Sequence, residues 1–159
     1  MSLFAQIRDD LKGAMQSGDK VRLGTLRMLV ASIKNKEIEE RKKEVGLADE
    51  EVLGVIQREA KKRKDAIAEY EKAARGELVR VEAEELAILE TYLPAELSDE
   101  EVKRIVLDGI HELGPPDAAV AVGDAKQLGA LMKVIMPTLK GRASGDRILR
   151  LARQALGAE

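Results

Sequence analysis

The stretch LPAELSDEE at residues 93–101 decides how this chain is divided. Pro94 cannot continue a helix that arrives from the N-terminal side, because its nitrogen has no hydrogen to donate. Ser98 and Glu101 have the spacing of a capping box, in which the serine hydroxyl accepts from the backbone of the glutamate and the glutamate carboxylate reaches back. The stretch therefore predicts the end of one helix, a short linker over 94–98 and the start of another helix.

On both sides of this boundary, nearly every segment has the composition and the periodicity of a helix. Alanine, leucine, glutamate, lysine and arginine dominate, whereas aromatic residues make up only 2% of the 159 residues. Apolar residues recur every three or four positions, for example at Leu23, Leu26, Val30 and Ile33. VAV at 120–122 is too short to count as a strand. The sequence therefore predicts an all-α protein.

Two helical units are expected, with four helices in residues 1–93 and three in a smaller domain over 99–159. Val81 and Ala155 are among the apolar residues expected to face inward. The predicted helices cover about residues 2–17, 19–46, 49–75, 77–92 and 99–113, followed by a sixth from about 124 and a seventh after 144.

Several classes of function lack their usual signals. The chain has no cysteine, no glycine-rich phosphate loop and a single histidine, His111, which we expect to be a polar residue near a helix C-terminus. We therefore predict no catalytic residues, no metal site and no cofactor. No apolar run is long enough for a membrane span, and the N-terminus does not resemble a signal peptide, so a cytoplasmic location without a membrane partner is expected.

The sign of the charge changes along the chain. Residues 77–112 hold three Lys and Arg against eleven Asp and Glu, whereas residues 126–159 hold seven basic against two acidic residues, a net charge of +5. Such asymmetry indicates either an anionic partner or charge complementarity within the folded protein. If the acidic segment packed on the basic tail, the positive charge would be neutralised internally.

The basic tail contains LMKVIMPTLKGRASGDRILR at residues 131–150. Its KGRASG portion is typical of a corner between two antiparallel helices. Gly141 can adopt the left-handed conformation that closes a helix, and the hydroxyl of Ser144 can cap the next one. Pro137 is expected in the last turn of the sixth helix or just beyond it, and Gly145 completes the corner.

A corner alone does not explain the basic residues around it. Arginines follow one another at intervals of three in the seventh helix, and two further cations lie on the corner itself. Because aromatic residues are scarce, we expect contacts to the nucleic-acid backbone rather than base stacking. The predicted nucleic-acid-binding residues are Lys133, Lys140, Arg142, Arg147, Arg150 and Arg153.

Two more basic groups lie in the first unit. KKRK at 61–64 covers a full helical turn, so its side chains point in different directions and a solvated helix face is favoured over a binding patch. Lys20, Arg22 and Arg27, near the start of the second helix, are either plain surface or partners for acids in the four-helix unit.

Four blocks of the sequence resemble the YqeY-like family, also called GatB/YqeY domain-containing proteins. In family order they are LRMLVASIKNKEIEERKK at 26–43, EVLGVIQREAKKRKDAIAEYEKAARGEL at 51–78, EELAILETYLPAELSDEE at 84–101 and LGALMKVIMPTLKGRASG at 128–145. The last block is the most specific, because the family has a similar Gly-x-Met-Pro-Lys-x-Lys-Gly-Arg-Ala-Asp-Gly pattern. Ser144 stands where that pattern often has aspartate, and both residues are good helix caps.

The resemblance implies two helical domains, of which the second is similar to the tail of the B subunit of the tRNA-dependent amidotransferase. In that enzyme the tail is a non-catalytic module that helps hold tRNA. The implied function is a tRNA-binding accessory protein, with a helical protein–protein adaptor as the alternative. The family label also implies carbon–nitrogen ligase activity with glutamine as amido-N-donor, although the chain shows no catalytic constellation for it.

Overall fold

A computed structural model describes residues 1–114 and 125–157 of the chain. These ranges contain helices and no strand, so the prediction of an all-α protein is confirmed. Contacts divide the chain into two compact units, Met1–Leu93 and Pro94–Glu159. The helices are α1 (Leu3–Ser17), α2 (Lys20–Glu39), α3 (Asp49–Lys72), α4 (Gly76–Glu90), α5 (Asp99–Leu113), α6 (Ala125–Leu139) and α7 (Gly145–Leu156).

The first unit consists of two helix pairs, α1 with α2 and α3 with α4, and α2 also packs on α3 and α4. Helices α1 and α2 begin at side-chain caps: Ser2 accepts from the backbone N–H of Ala5, and Asp19 accepts from that of Arg22. One apolar core joins the four helices and includes Ile7, Leu26, Leu29, Ile33, Ile56 and Leu89. Burial of these side chains is the main source of stability in this unit.

Two helices of this unit end earlier than predicted, because left-handed residues other than glycine close them. Arg41 has φ 56°, and the N–H of Lys42 donates to the carbonyl of Glu37 at 2.8 Å, which is the hydrogen bond of a Schellman motif. Ala74 has φ 54° and closes α3 in the same way. The prediction that the second helix reaches Gly46 was therefore wrong, since glycine was the signal used for its end.

Two burial expectations were also wrong. The side chain of Val81 is 46% exposed, because only the C-terminal part of α4 contributes a fully buried residue, Leu89. Ala155 is exposed on α7, whose buried residues are Ile148, Leu151 and Ala152.

The second unit is a three-helix arrangement in which α5 packs on α6 and α7, and α6 packs on α7. The predicted capping box starts α5: the Ser98 hydroxyl accepts from the backbone of Glu101 at 3.3 Å, and the backbone of Ser98 donates to the Glu101 carboxylate at 2.8 Å. The core consists mainly of Val102, Val106, Leu131, Ile135, Leu139, Ile148 and Leu151.

The segment predicted as a linker packs into this second unit. Leu97 is buried in the core, and its N–H donates to the carbonyl of Arg142 at 2.8 Å. The carbonyl of Leu97 accepts from the guanidinium of Arg147. Residue 97 is therefore held on both sides by the corner and by α7, which fixes the chain entering α5.

Arg147 makes further contacts at this junction. Its Nε lies 2.7 Å from Asp99 Oδ1, and its Nη1 lies 3.5 Å from Glu96 Oε2. Its side chain is only 20% exposed, so these interactions are partly shielded from water. The planar guanidinium is suited to this position, because it can donate in several directions at once.

Helices α5 and α6 approach each other closely at Gly109. A Cβ atom at this position would lie 2.6 Å from Ile135 Cγ2 and 3.0 Å from Leu131 Cδ1, and both side chains are buried. We therefore expect Gly109→Ala to lower the free energy of unfolding by about 1–2 kcal/mol, since overpacking outweighs the helix propensity that alanine gains. Chemical denaturation followed by circular dichroism measures this change.

The matched control is Gly129→Ala on α6, where a Cβ atom would meet nothing within 4 Å. This substitution should raise the stability by up to about 1 kcal/mol. Equal stabilisation by the two substitutions would contradict the close approach.

A second prediction concerns Arg147. Arg147→Ala leaves the Leu97 carbonyl without its side-chain donor and the Asp99 carboxylate without its nearest cation, so we expect a loss of about 1–3 kcal/mol of unfolding free energy. Arg147→Lys should recover only part of it, because an ammonium group cannot reproduce the guanidinium geometry. Arg153→Ala on the exposed face of α7 is the control and should change stability by less than about 0.5 kcal/mol. A neutral Arg147→Ala would show that the junction does not hold the unit together.

Candidate nucleic-acid interface

The corner between α6 and α7 is built by backbone hydrogen bonds. Helix α6 includes Pro137 in its last turn, as predicted, and the N–H of Lys140 donates to the carbonyl of Met136 at 2.8 Å. Gly141 then adopts the left-handed conformation with φ 78°, and the N–H of Arg142 turns back to the carbonyl of Leu139 at 2.9 Å. The predicted role of Gly141 in reversing the chain is thus observed.

Ser144 lies at the predicted start of α7, but its hydroxyl does not make the predicted capping hydrogen bond. It occupies the N-cap position of α7 with extended backbone angles, φ −69° and ψ 145°, but within the described residues its side chain makes no capping hydrogen bond. Gly145 is the first residue of α7, and Asp146 supplies negative charge in the first turn. The start of this helix therefore depends on backbone conformation and on Asp146 rather than on the serine hydroxyl.

The structure separates the six predicted nucleic-acid-binding residues into two groups. Arg147 is engaged at the junction described above. Arg150 shares Asp99 with it, but its Nη2 lies 3.6 Å from the carboxylate and its side chain is 58% exposed, so this pair is weak. The other four residues, Lys133, Lys140, Arg142 and Arg153, are exposed and form no ion pair within residues 1–114 and 125–157.

Acidic residues therefore neutralise only part of the basic tail. Glu96 and Asp99 contact Arg147, and Glu101 accepts hydrogen bonds from the backbone and hydroxyl of Ser98. These bonds hold the pKa of the Glu101 carboxyl below its usual value, and the nearby positive charge of Arg142 lowers it further. Because Glu101 is committed to the cap, it does not bind the Arg142 guanidinium directly.

A feature that the sequence reasoning missed is the regular spacing of Lys126, Lys133 and Lys140, which we call the lysine row. Intervals of seven residues are almost two helical turns, so these lysines lie on one side of α6, about 10.5 Å apart along its axis. Lys140 follows α6 directly and continues its hydrogen-bond pattern. All three are exposed, and the interval was visible in the sequence.

The lysine row lies opposite the buried face of α6. The buried residues Leu131, Ile135 and Leu139 recur at intervals of four, which places them on the other side of the helix. Helix α6 contains no acidic residue, so nothing on the helix itself neutralises the row. The row extends over about 20 Å, and Arg142 adds a fourth exposed cation on the adjoining corner.

The basic tetrad at 61–64 in the first unit is used internally. Each of its members has an acidic partner: Lys61 with Asp65, Lys62 with Glu59, Arg63 with Glu82 and Glu85, and Lys64 with Glu90. The side chain of Arg63 is only 11% exposed and lies 2.7 Å from Glu85, so the expectation of a fully solvated face was wrong for this residue. Carboxylates therefore balance the charge of the tetrad, and Arg63 is the member that is shielded from water.

The group near the start of α2 is mixed. Arg22 Nη2 lies 3.6 Å from Asp10 Oδ2, and Asp10 also accepts from the hydroxyl of Tyr92. Lys20 and Arg27 are exposed and have no ion-pair partner among the residues that the structure describes. Arg22 is thus a partner for an acid of the four-helix unit, whereas Lys20 and Arg27 are plain surface residues.

The described residues form neither a metal centre nor a membrane-spanning helix. Across the described ranges, no group of three or more histidine or carboxylate side chains is arranged to hold a metal ion. Among the same residues, no helix is both long and apolar enough to cross a membrane.

Known proteins with related sequences place the chain in a family. Two relatives, one from Kluyveromyces lactis and one from Clavispora lusitaniae, are both named "Altered inheritance of mitochondria protein 41, mitochondrial". The K. lactis protein is 42% identical over 107 residues, which is 65% of this chain and 56% of the relative. The C. lusitaniae protein is 31% identical over 126 residues, which is 77% of this chain and 71% of the relative.

The matched region is only a part of some relatives. A protein of the same name from Vanderwaltozyma polyspora is 34% identical over 87 residues, which is 46% of its length, so the chain spans about half the length of the first relatives it matches. The family model of YqeY-like proteins, by contrast, matches residues 4–156 and thus both helical units. The chain therefore belongs to the YqeY-like protein family.

Proposed function

We propose that the second unit binds tRNA, through the lysine row and Arg142, and that the protein acts as a non-catalytic accessory to a tRNA-dependent process. The observation that carries this proposal is a row of exposed cations that have no acidic partner among the described residues. Polyanions gain most from such cations, because each phosphate contact releases condensed counterions. Cations already paired with carboxylates would gain much less.

The composition of the second unit favours contacts to the RNA backbone. Residues 94–159 contain no phenylalanine, tyrosine or tryptophan, so the unit has no aromatic side chain on which a base could stack. Lysine side chains are flexible point charges that suit phosphate groups of varying position. The expected ligand surface is therefore the phosphate backbone of a double-helical arm, recognised by shape and charge.

The choice of tRNA among RNAs is supported by the resemblance of the corner to the amidotransferase tail. Arg147, which was predicted to contact nucleic acid, is assigned instead to the junction with residues 96–99.

The relatives are named as mitochondrial, whereas a cytoplasmic location was predicted for this chain. Both compartments contain tRNA, so the proposal holds in either.

A protein–protein adaptor is the second candidate. The observation that favours it is a set of exposed apolar side chains on α2, namely Val21, Met28 and Ile38, of which Met28 is 54% exposed. These residues are separated by charged and small neighbours rather than gathered in one patch, so the RNA proposal has the stronger support. Glutamine-dependent carbon–nitrogen ligase activity is implied by the family label alone, and no group of described residues supports it.

The triple variant Lys126→Gln, Lys133→Gln, Lys140→Gln tests the proposal. In fluorescence anisotropy with labelled total tRNA, it should bind about ten-fold more weakly at low salt and show a log–log salt slope shallower by about 2–3. The reason is the loss of three phosphate contacts without a change in the core.

The matched control replaces three lysines that are also exposed but already paired: Lys12 with Asp9, Lys61 with Asp65 and Lys72 with Glu69. This control, Lys12→Gln, Lys61→Gln, Lys72→Gln, makes the same change in net charge and should shift the slope by less than about 1. Equal effects of the two triple variants would mean that net charge alone governs binding, and the proposed interface would be wrong.

A further inference from the structure

Helix α2 has an unusual charge distribution for a chain with nearly balanced charge. Between Asp19 and Glu37 there are five basic residues and no acidic one. The five are Lys20, Arg22, Arg27, Lys34 and Lys36. This stretch of 17 residues without an acidic residue contrasts with α3, which contains both acidic and basic residues.

Three of these residues form a second row. Lys20, Arg27 and Lys34 are spaced by seven residues, so they lie along one side of α2 at intervals of about 10.5 Å. All three are exposed, and none forms an ion pair within residues 1–114 and 125–157. We call this set the α2 basic row. Its geometry along the helix matches that of the lysine row in the second unit.

The pairing of other cations in the first unit makes the α2 basic row distinctive. On α3 and α4, every lysine and arginine except Arg58 has a carboxylate within 4.0 Å. Even Arg22 and Lys36 on α2 are paired, with Asp10 and with Glu39 and Glu40 respectively. Within the described residues, the cations of α3 and α4 are therefore mostly paired, whereas Lys20, Arg27 and Lys34 on α2 are not.

We propose that the α2 basic row is a second binding surface for the phosphate backbone of RNA, located on the first unit. The inference shares with the proposed function the assumption that RNA is the ligand, but it does not require the lysine row to be correct. The inference places an RNA contact on the first unit, whereas the resemblance of the corner between α6 and α7 concerns only the second unit.

The surface next to the row also suits a phosphate backbone. The exposed positions Gly24, Ala31 and Asn35 beside the row are small and uncharged, so a phosphate backbone can come close to the helix between the cations. Lysine, in contrast, is depleted in the cores of protein–protein interfaces, where aromatic anchors dominate. An acidic protein partner is therefore less well suited to this face.

An anionic membrane is also a poor match. A helix that lies in a membrane interface inserts a face of large apolar residues. The buried apolar residues of α2, Leu26, Leu29 and Ile33, belong to the four-helix core and cannot insert without unfolding it. The exposed ones, Val21, Met28 and Ile38, are separated by charged and small neighbours. Electrostatic attraction would therefore be the main contribution.

The test compares variants of the full-length chain by anisotropy with labelled total tRNA, over salt concentrations from about 50 to about 300 mM. The α2 variant is Lys20→Gln, Arg27→Gln, Lys34→Gln, and the control is the triple variant of paired lysines Lys12, Lys61 and Lys72. We expect the α2 variant to lose about ten-fold in affinity and to have a slope shallower by about 2–3. An α2 variant that behaves like the control would overturn the inference.

Comparing the α2 variant with the lysine-row variant, each measured separately, distinguishes the two proposals. If only the α2 variant loses affinity, the α2 surface stands and the proposed interface on the second unit fails. If only the lysine-row variant loses affinity, the α2 inference fails and the proposed function stands. A wild-type chain that binds no tRNA even at low salt would overturn both.

Two further measurements complete the design. Circular dichroism melts should show the same midpoint for the α2 variant and the wild type, because all three residues are exposed; a lower midpoint assigns the α2 basic row to folding and overturns the inference. Vesicles containing phosphatidylserine test the membrane. Binding to vesicles that depends on the α2 basic row, without any effect on tRNA, would likewise overturn the assignment to RNA.

Discussion

The guanidinium of Arg147 connects three parts of the second unit that are distant in sequence. It donates to the carbonyl of Leu97 and contacts the carboxylates of Asp99 and Glu96, while the N–H of Leu97 donates to the carbonyl of Arg142. The entry to α5 is thereby fixed against the corner before α7. Since α5 packs on both other helices, the position of the corner and of the cations around it depends on this junction.

This junction also shows why net charge is a poor guide to binding. Residues 126–159 have a net charge of +5, but Arg147 is engaged by acids at the start of α5 and Arg150 is weakly attached to the same carboxylate. Among the described residues, the charges available to a ligand are those without a partner, and three of them lie along the outer side of α6. In the first unit the same distinction separates the paired cations of α3 from the α2 basic row.

Much of the fold follows from local rules that are visible in the sequence. The capping box at Ser98, the proline at 94 and the left-handed Gly141 were predictable, because each has a specific backbone role. The ends of α2 and α3 were not, since Arg41 and Ala74 adopt a conformation that side chains usually avoid. The role of Arg147 was equally hidden, because its partners lie about 50 residues away and only the packing of α5 on α7 brings them together.

Lysine footprinting by acetylation and mass spectrometry, with and without saturating tRNA, tests the central claim most directly. It reports on every lysine of the intact chain in one experiment, and binding should protect those that contact phosphate. We predict strong protection of Lys126, Lys133 and Lys140, with unchanged reactivity of the paired lysines Lys61 and Lys72. Uniform protection of all lysines, or protection centred on Lys61 and Lys72, would contradict the claim that unpaired cations form the RNA-binding surface.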